Sequence, residues 1–447
     1  MSQAEYQKLA DDIAAAIANG TLKPGDRLPP QRDFAYEHKI AASTASRVYA
    51  ELLRRGLVVG EVGRGTFISG EARRGTAAPG EPRGVRIDLE FNYPILPDQT
   101  ALIGQCLAEL QNSAALESAL RPATSTATPA IRALTAGYLS QPGWTPAPEQ
   151  FVFTGNGRQS IAAALSALVP AGGRCGVEAL TYPFIKGIAA RLGITLVPLA
   201  LDEQGARPDA IEKAHRDNHL SALYLQPTVQ NPLGMTMPPA RRADIVRMAE
   251  KLALPLIEDN VYGFLDDATP LAALAPERCI TIDSLSKKVA PGLALGFLAV
   301  PLRLRESVMA SVRSGGWTAS GFAFAAAERM IAGGVAGELA RRKRLDARAR
   351  QQLAATRLAG FQTQAHESAY HLWLTLPAHW RSQNLVAVAA RRDIALTPST
   401  TFAITPGHAP NAVRLALASP PIEQLDSGLA TLAALLSAPA EDFHFTE

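Results

Sequence analysis

Apolar residues at Tyr6, Leu9, Ala10, Ile13, Ala14 and Ile17 recur at helical spacing, and Gly20 follows where a left-handed cap closes a helix. After the turn Leu22-Lys23-Pro24-Gly25-Asp26, the prolines of Arg27-Leu28-Pro29-Pro30 start a short second helix, and a third runs from about Ala42 to Arg55, with Val48, Leu52 and Leu53 inward and Gly56 as its stop. Leu57-Val58-Val59 and Thr66-Phe67-Ile68 then read as two strands joined by the glycine-bearing hairpin Glu61-Val62-Gly63-Arg64-Gly65. Three helices followed by a two-stranded wing predict a winged helix-turn-helix, an α+β unit over residues 1–70. Gly70 to Gly84 is rich in Gly, Pro, Ala and Arg and nearly free of large apolar residues, so 71–86 reads as a flexible linker. From Ile87 onward short apolar strands alternate with amphipathic helices, which predicts an α/β unit over 87–447 with a mostly parallel sheet. Its large part is expected at about 130–325 and its small part at about 326–440 together with 87–129.

Several apolar runs end in polar groups, as strands of an open parallel sheet do at an active edge. Leu256-Ile257-Glu258-Asp259 delivers a carboxylate with Tyr262 three residues on, and Leu220 to Leu225 leads to Asn231 in Gln226-Pro227-Thr228-Val229-Gln230-Asn231-Pro232. Asn-Pro is also ordinary turn chemistry, and Glu-Asp after a strand also caps helices. Phe151-Val152-Phe153 runs into Thr154-Gly155-Asn156-Gly157-Arg158-Gln159-Ser160 and then a helix, so Gly155, Asn156, Gly157 and Arg158 form a turn whose unpaired N–H groups suit a phosphate. Ser284-Leu285-Ser286-Lys287-Lys288-Val289-Ala290-Pro291-Gly292 places Lys287 between two hydroxyls and a Pro-Gly turn. An amine on a fixed backbone can take a carbonyl cofactor as a Schiff base, although lysines beside turns are often merely solvated. Lys287 for the aldehyde, Asp259 for a pyridine nitrogen, Tyr262 and Asn231 for a ring oxygen and a phosphate turn together spell a pyridoxal 5'-phosphate site.

Asn231-Pro232-x-Gly234, Asp259-x-x-Tyr262 and Ser284-x-Ser286-Lys287-x-x-x-Pro291-Gly292 resemble a fold-type I aminotransferase over roughly residues 90 to 440. The N-terminal unit resembles GntR domains in Pro24-Gly25-Asp26-Arg27-Leu28-Pro29, Arg32, Thr44, Tyr49, Leu52, Gly56-Leu57-Val58 and Gly63-Arg64-Gly65-Thr66-Phe67. Joined, they resemble the MocR subfamily of GntR transcriptional regulators. The resemblance implies DNA contacts at Arg32, Thr44 and Arg47, with close approach at Gly65. It also implies Tyr182 stacked on the cofactor ring, Ser284 and Ser286 among the cofactor-binding residues, Arg414 gripping a substrate carboxylate, and a homodimer with heads swapped head-to-tail. Arg414 lies inside the apolar strand Val413-Arg414-Leu415-Ala416-Leu417, which a buried ion pair would equally explain.

Three departures from the family pattern bear on function. Ala41-Ala42 stands where Ser-Arg usually precedes the recognition helix, leaving Ser43 to cap one turn later. Ala294 replaces the arginine that pairs with the phosphate, a loss of about 1.5–3 kcal/mol. Arg158 stands where a neutral Gln is usual, so either the charge has moved to that loop or Arg158 points to solvent. The segment Leu120 to Arg132 lacks the Tyr that active enzymes contribute across a dimer interface, which makes efficient transamination less expected.

Composition changes this picture little. The 447 residues are 47% apolar, enough for sizeable cores, and carry a net charge of +3, too small to argue for nucleic acid. No 18-residue apolar run or signal-peptide layout is present, so a soluble, cytoplasmic protein is expected. Cys106, Cys175 and Cys279 lack paired spacing and read as core thiols, and the eight His show no metal-ligand pattern. The basic run Arg341-Arg342-Lys343-Arg344 reads as a solvated helix face rather than a nucleic-acid patch. Three functions follow: a regulator sensing the cofactor or an amino compound through Lys287, a working aminotransferase with an accessory head, and a regulator that has lost the cofactor. Retention of Asn231, Asp259, Tyr262 and Lys287 disfavours the last.

Overall fold

The computed structural model describes residues 3–18, 21–23, 25–54, 57–61, 65–68, 87–111, 113–405 and 408–438. Gly20, Gly56, the hairpin tip 62–64 and the linker 71–86 lie outside that set.

In the head, helices Gln3–Ala18, Gln31–Glu37 and Ala42–Arg54 pack around Ala10, Leu28, Phe34, Val48, Tyr49, Leu52, Val58 and Ile68. Leu53 only borders this core. The wing has three strands rather than two, ordered Arg27–Leu28, Gly65–Ile68, Val58–Glu61, all antiparallel. Two residues are too few for a periodic signal. The pairing is made instead by the turn before them: Gly25, at φ +90°, donates to the Ile68 carbonyl at 2.9 Å, and Asp26 accepts from Ile68 N at 2.8 Å. Tyr49 of the third helix donates to the Pro29 carbonyl at 2.5 Å, tying that helix to the start of the second. Ser43 does not cap the third helix, because the helix begins before it and the Ala41 carbonyl already accepts from Thr44 N and Ala45 N at 2.9 and 3.1 Å.

The body is built on a seven-stranded sheet ordered Phe151–Thr154, Gly296–Ala299, Cys279–Ser284, Leu256–Asp259, Ala222–Leu225, Arg174–Glu178, Thr195–Leu199. Four of the neighbouring pairs are parallel, and Gly296–Ala299 runs antiparallel to both of its neighbours. Helices cover both faces, which is why the central strands are apolar throughout rather than alternating. One face buries Val152, Ile161, Val177, Tyr224 and Ile257, and the other Leu199, Leu223, Leu225, Ile245 and Leu256.

A smaller antiparallel sheet is ordered Thr363–Gln364, His371–Thr375, Ala412–Ala416, Thr397–Pro398 and packs on Trp380, Leu385, Leu429 and Leu432. Ile87–Asp88 pairs in parallel with Ile394–Ala395, so the chain enters the body through this small unit before it reaches the large sheet. The 23-residue helix Val335–Arg357 spans both units: Ala336 and Leu339 join the cluster around Phe153 and Phe297, and Ala354 joins the small unit's core. Among the described residues no helix is long and apolar enough to cross a membrane.

Packing is tight where the strand Gly296–Ala299 passes the turn after Phe151–Thr154. A Cβ at Gly296 would lie 2.4 Å from Thr154 Oγ1, 2.5 Å from Ser160 Oγ and 2.7 Å from the Asn156 carbonyl. Gly296→Ala is expected to cost about 1–3 kcal/mol in urea unfolding, and a neutral result would contradict that packing.

Candidate functional site

The strand Leu256–Asp259 ends in two acids, and its alternation sends them to opposite faces. Glu258 does what a helix-capping acid does: it accepts from Leu271 N at 3.1 Å and Ala272 N at 3.4 Å, with the Arg242 guanidinium 3.7 Å away. Asp259 faces a cavity instead. Its Oδ2 accepts from Tyr224 Oη at 2.6 Å and Gln226 Nε2 at 3.0 Å, and its Oδ1 from Val261 N at 3.2 Å. Burial raises its pKa, and those donors oppose the rise.

Lys287 lies on a four-residue helix, Leu285–Lys288, directly after the strand Cys279–Ser284. Ser284 caps this helix, its Oγ accepting from Ser286 N at 3.0 Å and donating to Ser286 Oγ at 2.9 Å. The Lys287 amine is half-buried, donates to the Asn92 carbonyl and lies 4.9 Å from the centroid of the Tyr93 ring. Burial, with added repulsion from Arg414, Arg158 and Lys343, pulls its pKa down to about 7. The next residue, Lys288, is buried in an ion pair with Asp283 and so cannot compete for the same space.

Asn156 caps the helix Gly157–Leu168 by accepting from Gln159 N at 3.0 Å. The first N–H groups of a helix have no partner within it, and Gly157 and Arg158, which carry them here, line the cavity. Gly155 does not line it; its N–H bonds the Trp317 carbonyl at 3.0 Å. Arg158 is exposed but not free in solvent. Its Nε donates to Tyr182 Oη at 3.2 Å, and its guanidinium lies 3.6 Å from the Phe184 ring centroid, in the same wall as Ala294. Burial pushes the Tyr182 hydroxyl up to about 12.

Asn231 and Tyr262 complete that side. Tyr262 accepts from Asn92 Nδ2 at 3.5 Å and rests against His371, ring centroids 5.5 Å apart. At the opposite end, Arg414 is 7% exposed on the strand Ala412–Ala416. It donates to the Glu90 carbonyl and, at 3.0 Å, to Thr397 Oγ1.

Of the cofactor- and substrate-site residues expected from the sequence, all but Gly155 line one cavity of ≈ 310 Å³, together with Asn92, Tyr93 and Gln226. Three polar atoms in its wall are buried without a partner: Asn92 Oδ1, Asn231 Oδ1 and Arg414 Nε. Buried polar atoms are ordinarily bonded, so this wall is shaped for a polar ligand that brings its own partners. The donor set fits a phosphorylated pyridine aldehyde: helix-terminal N–H groups and Arg158, an amine, hydroxyls, a carboxylate and Arg414 all line the same cavity.

Asn92, Tyr93, Tyr224 and Gln226 were not legible as site residues in the chain, because Asn92 and Tyr93 follow an unremarkable short strand and the other two precede the recognisable Asn231. Lys343 corrects an expectation. Arg341, Arg342 and Arg344 do lie at the surface, paired with Glu338, Asp98 and Asp267, but Lys343 is 0% exposed and donates to the Lys287 and Val289 carbonyls at 3.1 and 2.6 Å. In the head, Arg32 and Arg47 are exposed and Thr44 half-buried. Gly65, at φ +121°, leaves room for Arg27, whose Nε lies 2.8 Å from where a Cβ would stand. Cys175 and Cys279 are buried and Cys106 half-buried, and no group of His, Cys, Asp and Glu among the described residues could hold a metal ion.

The segment from Leu120 to Arg132 is bound to its own large unit: the Ser125 carbonyl accepts from Phe153 N at 2.7 Å, and Thr128 caps the helix Pro129–Leu139.

Comparison with known proteins separates the chain into two parts. Residues 5–68 match the family described as bacterial regulatory proteins, gntR family, and residues 87–432 match aminotransferase class I and II. An uncharacterized HTH-type transcriptional regulator of Bacillus subtilis, YdeF, is 29% identical over 96% of this chain and 94% of its own length. The HTH-type pyridoxine biosynthesis transcriptional regulator PdxR of Corynebacterium glutamicum is 28% identical over 68% of each chain. Among solved structures, an archaeal alanine:glyoxylate aminotransferase aligns with a TM-score of 0.73 at 22% identity, over 80% of this chain and 92% of that one, a likeness of fold.

The amine environment has a thermodynamic signature. Lys287 titrates at about 7 in the fold against 10.5 unfolded, and so does Lys343. Between those values the unfolded chain holds protons that the folded one does not, so stability rises with pH. Glu178, raised by burial to about 8, acts in the opposite sense only below that pH, the buried Cys175 and Cys279 thiols, raised from 9.0, only from about pH 9 upward, and the buried tyrosines only above about 10. Cofactor-free protein is therefore expected to gain melting temperature between about pH 8 and 9, with a shallower gain in Lys287→Met. Equal slopes would show that the amine is not desolvated.

Proposed function

Because the chain belongs to the aminotransferase class I and II family and carries a gntR-family segment ahead of that domain, the MocR arrangement, we propose that it is a DNA-binding transcriptional regulator whose aminotransferase-like body senses pyridoxal 5'-phosphate, alone or with an amino compound. The observation that carries the reading is the pairing of this head with one cavity that gathers Lys287, Asp259, Tyr262, Asn231 and a helix N-terminus.

When bound, pyridoxal 5'-phosphate supplies an aldehyde carbon and an electron-withdrawing protonated ring. Lys287 offers the amine, and its burial leaves a large uncharged fraction near neutral pH, the form that attacks a carbonyl. Asp259 holds a proton at the ring nitrogen, while Tyr224 and Gln226 keep its carboxylate oriented. Tyr262 and Asn231 bond the ring oxygen, and Tyr182 stacks on the ring. Asn156, Gly157, Ser284 and Ser286 receive the phosphate, with Arg158 as its cation in place of the arginine absent at Ala294. Arg414 grips a carboxylate, supported by its partnerless buried Nε. In the head, Arg32, Thr44 and Arg47 contact double-stranded DNA, with Gly65 at the wing.

A ligand moves the head only if it binds two arrangements of the protein unequally, so sensing needs a reactive site but no turnover. The linker at 71–86, a homodimer with swapped heads and a cytoplasmic location complete the proposal.

Two experiments test it. The full chain is expected to retard DNA from upstream of its own gene, with cofactor altering the shift. Lys287→Ala is expected to bind that DNA, fail to respond to cofactor and lose borohydride fixation. No shift with or without cofactor defeats the regulator reading, and sustained keto-acid production from amino acids supports a working aminotransferase in its place. Separately, Arg158→Gln is expected to weaken cofactor binding at least ~10-fold by fluorescence titration, and unchanged affinity removes Arg158 from the phosphate site.

A further inference from the structure

The turn that carries Lys287 is anchored from an unexpected direction. A four-residue helix has carbonyls left over at its C-terminal end, and water ordinarily satisfies them. Here the Lys287 and Val289 carbonyls are buried against the helix Val335–Arg357 and receive the Lys343 ammonium at 3.1 and 2.6 Å. Lys343 is 0% exposed, although it stands between two surface arginines in sequence. A fully buried ammonium is costly, and neither of its two bonds is to a carboxylate. Asp346 is the nearest acid on the same helix, but Tyr370 and Arg350 already engage it, at 2.9 and 2.8 Å. An apolar side chain would fill that space without the desolvation cost.

We propose that Lys343 is a positioning residue for Lys287, gripping through two hydrogen bonds the backbone behind the amine and so setting where that amine points. This rests on the reading of Lys287 as the cofactor-binding amine. The groups that face Lys287 are Arg158 from the start of the helix Gly157–Leu168, Arg414 and His371 from the small sheet, Tyr93 from the entering segment and Lys343 from the long helix. Lys343 approaches from behind the turn, through the Lys287 and Val289 carbonyls. The Lys288 and Asp283 pair closes the other flank and is neutral as a pair.

The same helix extends the anchor to the far end of the cavity. Tyr370 donates to the Lys343 carbonyl at 2.8 Å, and Arg350, two turns on, donates at 2.7 Å to both the Leu417 and Pro420 carbonyls, where the chain leaves the strand that holds Arg414. The amine and the carboxylate-binding arginine are thus fixed to one rigid rod.

The test is competitive acetylation of the cofactor-free full-length chain by acetic anhydride across pH, with labelling read at Lys287 by peptide mass. The wild-type midpoint is expected near 7. Lys343→Met, which removes the donors, is expected to free the turn, let water reach the amine and raise that midpoint by roughly half a pH unit or more. Lys343→Gln, which keeps donors, is expected to hold it nearer the wild-type value, and equal movement in the two variants overturns the role of the donors. Gln is expected to retain more of the melting temperature. Leu339→Ala, a buried change one turn earlier on the same helix, is expected to lower the melting temperature and leave the midpoint in place. An unmoved midpoint in both Lys343 variants, or an equal movement in Leu339→Ala, overturns the proposal. So does loss of folding in both Lys343 variants while Leu339→Ala folds, because Lys343 is then a core residue only. Borohydride fixation on wild-type protein reports separately on whether Lys287 takes the cofactor at all.

Discussion

The cost of bringing the Lys287 amine out of water governs how this molecule is arranged. An ammonium there would sit among Arg158, Arg414 and Lys343, with the nearest partner a backbone carbonyl, that of Asn92. Desolvation and like charge act in the same direction, toward a neutral amine. A neutral amine on a fixed backbone is what carbonyl chemistry requires, and the surrounding cations are what a phosphate and a carboxylate require. One charge distribution serves both needs. On the proposed function, anions bound at Arg158 and Arg414 would offset the repulsion on this amine.

Rigid caps hold that distribution in place. Ser284 closes the start of the lysine turn, and Asn156 closes the start of the neighbouring helix. The two turns touch, since a Cβ on Gly157 would stand 3.5 Å from the Ser284 Cβ. Asp259 is clamped through three hydrogen bonds from two elements, its own strand's exit and the adjacent strand with its extension. The Gly157 turn and the Lys287 turn therefore cannot drift apart without disturbing the sheet itself. A sensor needs this stiffness as much as an enzyme does, because a ligand can bias a domain arrangement only through parts that do not yield locally.

The family to which the chain belongs is named for a reaction, while relatives matched over nearly the whole chain are named as regulators. The molecule contains the physical basis for both. The cavity is lined by Lys287, Asp259 and Arg414, whereas the segment from Leu120 to Arg132, bonded to its own sheet through Ser125, contains no tyrosine. A DNA-reading head in front of such a cavity turns retained binding chemistry into a signal.

Much of this was legible in the chain. Asp259, Asn231 and Lys287 follow apolar runs because parallel strands must be buried, and their polar ends must emerge at one edge. The head's helices were legible from their spacing for the same reason: a repeating pattern is a local record of which face is dry. Other features left no such record. The strand at Arg27–Leu28 exists because Gly25 and Asp26 bond Ile68, some forty residues away. Asn92 joins the site because Ile87–Asp88 pairs with Ile394–Ala395 and carries the following segment to the amine. Lys343 reads as one more surface cation until the long helix is laid against the lysine turn. The sequence by itself determined which groups could do chemistry, since residue type and local periodicity are written in it. Only the tertiary structure decided which of them meet, because burial and the partners of a charge depend on contacts between segments that no local pattern encodes.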